Sequence, residues 1–294
     1  MNQLELFHHI ASGGLDLGNT DRPHFTEMVV VETALSTPYL MNELLAFAAC
    51  HFSFLRPNKS SFYRHQAMQL QTHALSLFNK TPTEIGPHNY MGVVGFSWLL
   101  SAHMLRDTTI GPEDDFLNRF LRYLEVYRGV RMLTSQAWQY LLESKMSNVI
   151  AAGINLSGLG SSGAETAKLR ETIQASRTLS AEEVKYCQEA IDKIQWSIDA
   201  LSSSHDDRQI SHSFQMVFAW PLLIDVKVVD LLLSRNPEAL LVLAFYGVVL
   251  HLYRGAWLFR NIGTQVVESI VSYLGPAHQH ITCLANDMVH ANPD

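Results

Sequence analysis

Charge, cysteine and long apolar runs are all scarce in this chain, and each scarcity removes a class of function. Charged residues make up 17% of the 294, against roughly a quarter in an average soluble domain. The balance is acidic, with 21 Lys+Arg against 28 Asp+Glu and a net charge of -7. No basic cluster interrupts it, so a phosphate backbone would be repelled and direct nucleic-acid binding is not expected. The three cysteines, Cys50, Cys187 and Cys283, stand far apart and never form a C-x-x-C pair. They read as reduced intracellular thiols. The longest apolar run, Ala239 to Leu250, covers 12 residues, short of the ~18–20 that span a bilayer, and predicts a buried core helix. The start, Met1-Asn-Gln-Leu-Glu-Leu-Phe7, lacks the basic stretch and apolar stretch of a secretory signal. These absences predict a cytoplasmic globular protein, nuclear if regulatory, without a membrane span.

Catalytic spacings are missing too. Ser97, between Phe96 and Trp98, has no G-x-S-x-G turn around it, which argues against a hydrolase nucleophile. The glycines from Gly158 to Gly163 do not follow a strand, so they are not read as a dinucleotide or phosphate cradle. The 14 histidines, among them His8, His9, His51, His65, His73 and His88, show no H-E-x-x-H or other ligand spacing. Asp114-Asp115-Phe-Leu-Asn118 matches the D-D-x-x-D/N pattern with which class I terpene synthases hold magnesium. No N-D-x-x-S-x-x-x-E partner follows, since Asn286-Asp287 lacks the serine and glutamate, and the carboxylates suit a helix start equally well. Neither a metal nor a cofactor is expected.

Apolar residues and helix signals are plentiful by contrast. Hydrophobic residues make up 47% of the chain and aromatic ones 10%, enough for a sizeable core. Apolar spacing is helical almost throughout, as in Leu70, Ala74, Leu77 and Phe78 or Phe116, Phe120, Leu121 and Leu124. Period-two alternation is missing. Thr37-Pro38 and Asn236-Pro237-Glu238 place a capping residue before a proline, and Ser180 to Glu183 has capping-box spacing. Gly111-Pro112-Glu113-Asp114-Asp115 sets carboxylates where a helix dipole favours them. The clearest helices are predicted near 38–55, 60–79, 88–106, 112–128, 180–202, 221–234, 237–253 and 256–274. Flexible connections are expected over Ser157–Gly163 and Ser202–Asp207. The fold expected is all-α, a single multi-helix orthogonal bundle around an apolar cavity, formed by residues 1–294 as one domain.

Three ordered segments carry a family likeness. The first is Leu4 to His9 followed by Ala34-Leu-Ser-Thr-Pro-Tyr-Leu-Met-Asn-Glu-Leu-Leu-Ala-Phe-Ala-Ala-Cys-His51. The second is Phe120-Leu-Arg-Tyr-Leu-Glu-Val-Tyr-Arg-Gly-Val130 with Trp138. The third is Trp220-Pro221, then Pro237 to His251 and Arg254-Gly-Ala-Trp257. Together they resemble the C-terminal effector domain of fungal zinc binuclear cluster transcription regulators, notably the sterol uptake control branch. The resemblance implies an all-α fold, often dimeric, with a hydrophobic cavity that in the sterol branch accepts ergosterol. Two departures matter. The six-cysteine zinc cluster and basic linker of those regulators are not in this sequence. Where the sterol type has paired tryptophans and a closing Trp-Pro, Ala256-Trp257 and Ala291-Asn-Pro293 stand here.

On helix faces, Phe245, Val249 and Tyr253 share one stripe, and Tyr246, Leu250 and Arg254 the next. With Trp98, Met104, Trp220 and Trp257 they have the make-up of an apolar pocket with a few polar tips, although ordinary core packing would use the same residues. Trp98, Met104, Trp220, Phe245, Leu250, Tyr253 and Trp257 are the expected ligand-binding residues. His103, Tyr246, His251 and Arg254 are the expected polar or catalytic ones. If Met1 is the native start, the protein has the sensing body without the DNA reader. The sequence then points to a stand-alone binder of terpenoid- or sterol-like molecules in a fungal secondary-metabolite pathway. Such a binder would act as a cofactor-free cyclase or pericyclase, accelerating a cyclisation by folding its substrate. The alternative is the ligand-sensing domain of a zinc-cluster regulator. The partners expected are a hydrophobic small molecule and, with it, a second copy of the chain as a homodimer.

Overall fold

The computed structural model describes residues 3–15, 25–81, 84–144, 163–202 and 217–291, with the side chains of 25–28 and 201–202 left aside. The expected connections over Ser157–Gly163 and Ser202–Asp207 lie almost wholly outside these residues, as does most of the Ala291-Asn-Pro293 terminus. Twelve α-helices account for most of what is described, and no strand occurs among the described residues. They are α1 Gln3–Ala11, α2 Phe25–Ala34, α3 Pro38–Leu55, α4 Ser60–Phe78, α5 Tyr90–Asp107 and α6 Phe116–Leu142, then α7 Ala167–Gln174, α8 Ala181–Ser202, α9 Val226–Leu233, α10 Pro237–Leu252, α11 Ile262–Leu274 and α12 Gln279–His290. Short 3-10 turns precede α4, α6 and α12. A further helical segment covers 217–223. The all-α expectation is met.

Two of the predicted start signals act as their chemistry requires. The Asn236 side chain accepts from the Ala239 N–H at 3.0 Å, with Pro237 in the first turn. Ser180 and Glu183 close the capping box, the Ser180 N–H donating to the carboxylate at 2.7 Å and the Glu183 N–H to the hydroxyl at 3.3 Å. Thr37 differs, standing at the start of α3 without a side-chain capping bond. Three boundaries move from the sequence expectation. The 221–234 helix is broken at Ile224–Asp225, because Asp225 caps α9 by accepting from the Lys227 N–H at 2.9 Å. The last part of 256–274 is helical only from Ile262, residues 253–261 being turns. The helix expected over 112–128 begins at Phe116 and continues to Leu142.

The chain divides into two compact units, one of residues Met1–Met104 and Gly129–Ile150, the other of Leu105–Arg128 and Ala151–Asp294. In the first, α3 packs along α4, and α1 and α2 lie against α3. Its aromatic centre is Tyr39, edge-on to Phe78 and Phe96, which stack on each other with centroids 4.5 Å apart. In the second, α10 packs against α8, α9, α11 and α12. Every residue of α10 from Ala239 to His251 is buried, so the apolar run is a core helix, as expected. No described helix is long and apolar enough to cross a membrane.

Candidate functional site

In the second unit an aromatic cluster gathers residues far apart in sequence. The Trp220 ring stacks on Tyr246 with centroids 4.2 Å apart and donates its N–H to the Ala190 carbonyl at 3.0 Å. Tyr246 donates its hydroxyl to the Val217 carbonyl at 2.8 Å, and Tyr127 donates to the Phe218 carbonyl at 2.9 Å. Both phenols thereby tie the 217–220 backbone to α10 and α6. Tyr123 completes the row, its ring 5.6 Å from those of Phe120 and Tyr127. Its hydroxyl is buried and has no hydrogen-bond partner among the described residues. Burial, with neighbouring phenols adding to it for Tyr123 and Tyr246, raises all three tyrosines far above the usual phenol range. They remain neutral donors at any physiological pH. A buried hydroxyl without a partner costs about 1–3 kcal/mol, a debt that a ligand carbonyl or hydroxyl would remove.

The other expected residues of this unit divide by role. Phe245, Leu250, Tyr253 and Trp257 are buried. His251 pairs its Nδ1 with the Thr264 hydroxyl at 3.0 Å, and burial, then Arg254 and His290, lowers its affinity for a proton. Arg254 turns back to donate to the His251 carbonyl at 3.3 Å, satisfying the end of α10.

His103, Trp98 and Met104 belong to the first unit. His103 is buried and meets the wholly buried Glu43 across helices α5 and α3, Nδ1 to Oε1 3.2 Å apart. Glu43 Oε2 has no hydrogen-bond partner among the described residues. Glu43 was not expected as a functional residue, since a lone Glu within Tyr39–Phe52 carries no spacing signal. His9 and His51 form a second pair, Nε2 to Nδ1 3.1 Å. Burial, with His9 adding to it, pushes His51 down to about 4. That pair is neutral at pH 7 and ties α1 to α3.

Two surface clefts of about 410 Å³ each complete the picture. One, in the first unit, lies at the starts of α3 and α5. The other, in the second, takes in Glu113, Asp114 and Asn118 with Arg235 and residues of α11. None of the eleven residues expected from helix faces lines either cleft. Within the D-D-x-x-N motif, Asn118 donates to Asp115 at 2.7 Å and Arg119 pairs with Asp115 at 3.4 Å. No group of three possible metal ligands occurs among the described residues. Cys187 is buried, and burial pushes its thiol up to about 12, which leaves it unreactive.

Comparison with known proteins adds one relation. Over 300 aligned residues, 95% of this chain, the sequence is 20% identical to "Sterol uptake control protein 2" of Saccharomyces cerevisiae. The chain is a distant relative of that sterol uptake control protein. The likeness read from the ordered segments is thus supported along nearly the whole chain. The chain spans about a third of the relative's length, 31%. No protein-family model matches it, and no solved structure does.

Proposed function

We propose that this chain is the ligand-sensing body of a regulator, which binds an apolar, sterol-like small molecule within its helices. The observation that carries this reading is the alignment of 95% of the chain with a protein named for sterol uptake control. The second unit supplies suitable chemistry. Trp220, Phe245, Tyr246 and Trp257 provide buried apolar surface, and the unpartnered Tyr123 hydroxyl provides one polar contact. A buried aromatic lining with a single polar anchor would suit a rigid hydrocarbon carrying one hydroxyl. Binding in such a core would shift the chain between a loose and a tight state, and the regulatory output passes to a DNA-reading module.

A cofactor-free cyclisation gains no observation of its own. The polar atoms expected to act on a substrate at Tyr246, His103 and His251 already meet protein groups. Titration of the full chain with dehydroergosterol, followed by quenching of tryptophan fluorescence, tests the regulator reading. Saturable quenching is expected, with affinity about fivefold to tenfold lower in Tyr123→Phe, the loss of one neutral hydrogen bond. No saturable quenching by any sterol would refute the reading. Turnover of a terpenoid intermediate by the purified chain would restore the cyclase.

A further inference from the structure

The first unit holds a second feature that ordinary packing does not use. Its cleft of about 410 Å³ is lined by the first turns of two 18-residue helices, α3 and α5. The lining contains no carboxylate. At the start of α3, the Met41 N–H bonds the Thr37 carbonyl, but the Tyr39 and Leu40 N–H groups precede the helical ladder and have no backbone or side-chain partner. At the start of α5, the Val93 N–H bonds the Asn89 carbonyl, while the Met91 and Gly92 N–H groups are unbonded. The Asn89 side chain is no substitute, because its Oδ1 accepts from Gly86 and its Nδ2 donates to the Glu84 carbonyl.

A buried side chain points into the same space. Tyr39 is only 6% exposed, its ring is held between Phe78 and Phe96, and it lines the cleft. Its hydroxyl makes no hydrogen bond to any described residue. Gly92 lies directly beside it: a Cβ there would stand 2.8 Å from the Tyr39 hydroxyl and 3.1 Å from the Thr37 side chain. The glycine therefore keeps the helix start and the phenol in close approach. Thr37, which leaves α3 without a side-chain cap, contributes another free hydroxyl at this point.

We infer that this cleft is an oxyanion site, taking the phosphoryl group of a small organic phosphate between the starts of α3 and α5. Free N–H groups and the positive ends of two helix dipoles favour negative charge, and the hydroxyls of Thr37 and Tyr39 donate from the side. Burial raises Tyr39 above the usual phenol range, which keeps that hydroxyl protonated as a donor. The cleft is larger than one phosphate and includes Leu77, Pro87 and Met91, so an apolar substituent on the phosphate is accommodated. Free phosphate, a phosphorylated metabolite and a phospholipid headgroup share this chemistry. The inference uses only first-unit residues and stands apart from the sterol reading.

The test is amide NMR of the full chain during titration with inorganic phosphate, phenyl phosphate and sodium chloride at matched ionic strength. Saturable shifts of the Tyr39, Leu40, Met91 and Gly92 amides are expected with both phosphates and not with chloride. Phenyl phosphate should bind severalfold tighter than inorganic phosphate. Tyr39→Phe keeps the ring and removes the donor, and it should weaken binding about tenfold with an unchanged melting temperature. Sedimentation with phosphatidic acid vesicles, against phosphatidylcholine alone, identifies the source: Tyr39-dependent association in place of phenyl phosphate binding assigns a lipid headgroup to the same site. Shifts that fail to saturate, that chloride reproduces, or that persist unchanged in Tyr39→Phe with no Tyr39-dependent vesicle binding would overturn the site.

Discussion

Gly263→Ala is expected to destabilise the second unit by upward of about 3 kcal/mol, enough to lose its cooperative melt. Gly263 lies in the first turn of α11, where that helix crosses α10. A Cβ at this position would fall 2.3 Å from the His251 backbone nitrogen and 2.4 Å from the Gly247 carbonyl oxygen. Both obstacles are main chain of a helix buried along nearly its whole length, so neither can rotate away. The helices must separate, and α10 then loses packing on the partner that covers much of it. Gly247, on the facing side, gives a graded comparison. A Cβ there would meet the Val266 and Val267 side chains at 3.0 Å and the Gly263 carbonyl oxygen at 3.1 Å, contacts relieved by shifts of a few tenths of an ångström rather than by separating the helices, so Gly247→Ala should cost about 1–3 kcal/mol. Gly129, within α6, has no atom within 4 Å of an added Cβ, and Gly129→Ala should be neutral or stabilise by up to about 1 kcal/mol. Thermal melts of the three variants test the ranking. Equal melting temperatures for Gly263→Ala and Gly129→Ala would show that α10 and α11 do not approach this closely.

His103→Leu should cost about 3–5 kcal/mol, because it strands the buried Glu43 carboxylate. Glu43 is 0% exposed, and His103 is its one hydrogen-bond partner among the described residues. Replacing both residues, as Glu43→Met with His103→Leu, should recover most of the loss, since an apolar pair of similar volume carries no desolvation penalty. Denaturant midpoints for the two single variants and the double variant close a cycle whose coupling is expected to exceed 1 kcal/mol. A cost below 1 kcal/mol for His103→Leu would contradict a buried carboxyl group that depends on His103.

Helices whose ends carry chemical signals were legible in the sequence, and those ended by tertiary context were not. Asn236-Pro237 and the Ser180–Glu183 box mark starts that the structure reproduces. By contrast, Asp225 looks like one more polar residue in the 221–234 stretch, yet its side chain stops one helix and begins another. Residues 256–261 contain Ala, Trp, Leu and Phe in a helical mixture but form turns, with Arg260 at a φ of 34°, which a continued helix cannot contain. The helix expected over 112–128 runs on past 128, where Val130, Ala137 and Leu141 continue its buried face.

The candidate residues show the same limit more sharply. Burial of Trp220, Phe245 and Tyr246 follows from their position in apolar helices. What their polar atoms touch does not. Glu43 and His103 are separated by 60 residues and Tyr127 and Phe218 by 91, and no periodicity announces such pairs. Tyr123, which holds the free hydroxyl, differs from Tyr127 only by one helical turn. The start of α3 is legible in another sense, because Thr37-Pro38 marks a helix start in the sequence and the structure leaves its Tyr39 and Leu40 donors unpaired.

The central claim, that the aromatic core of the second unit receives an apolar ligand, is tested most directly by hydrogen exchange of the full chain with and without dehydroergosterol. Saturating sterol is expected to slow exchange in 217–223 and in the turns of α6 around Tyr123, with weaker protection at the same concentration in Tyr123→Phe. Exchange that is unchanged throughout the second unit at saturating sterol would contradict the claim.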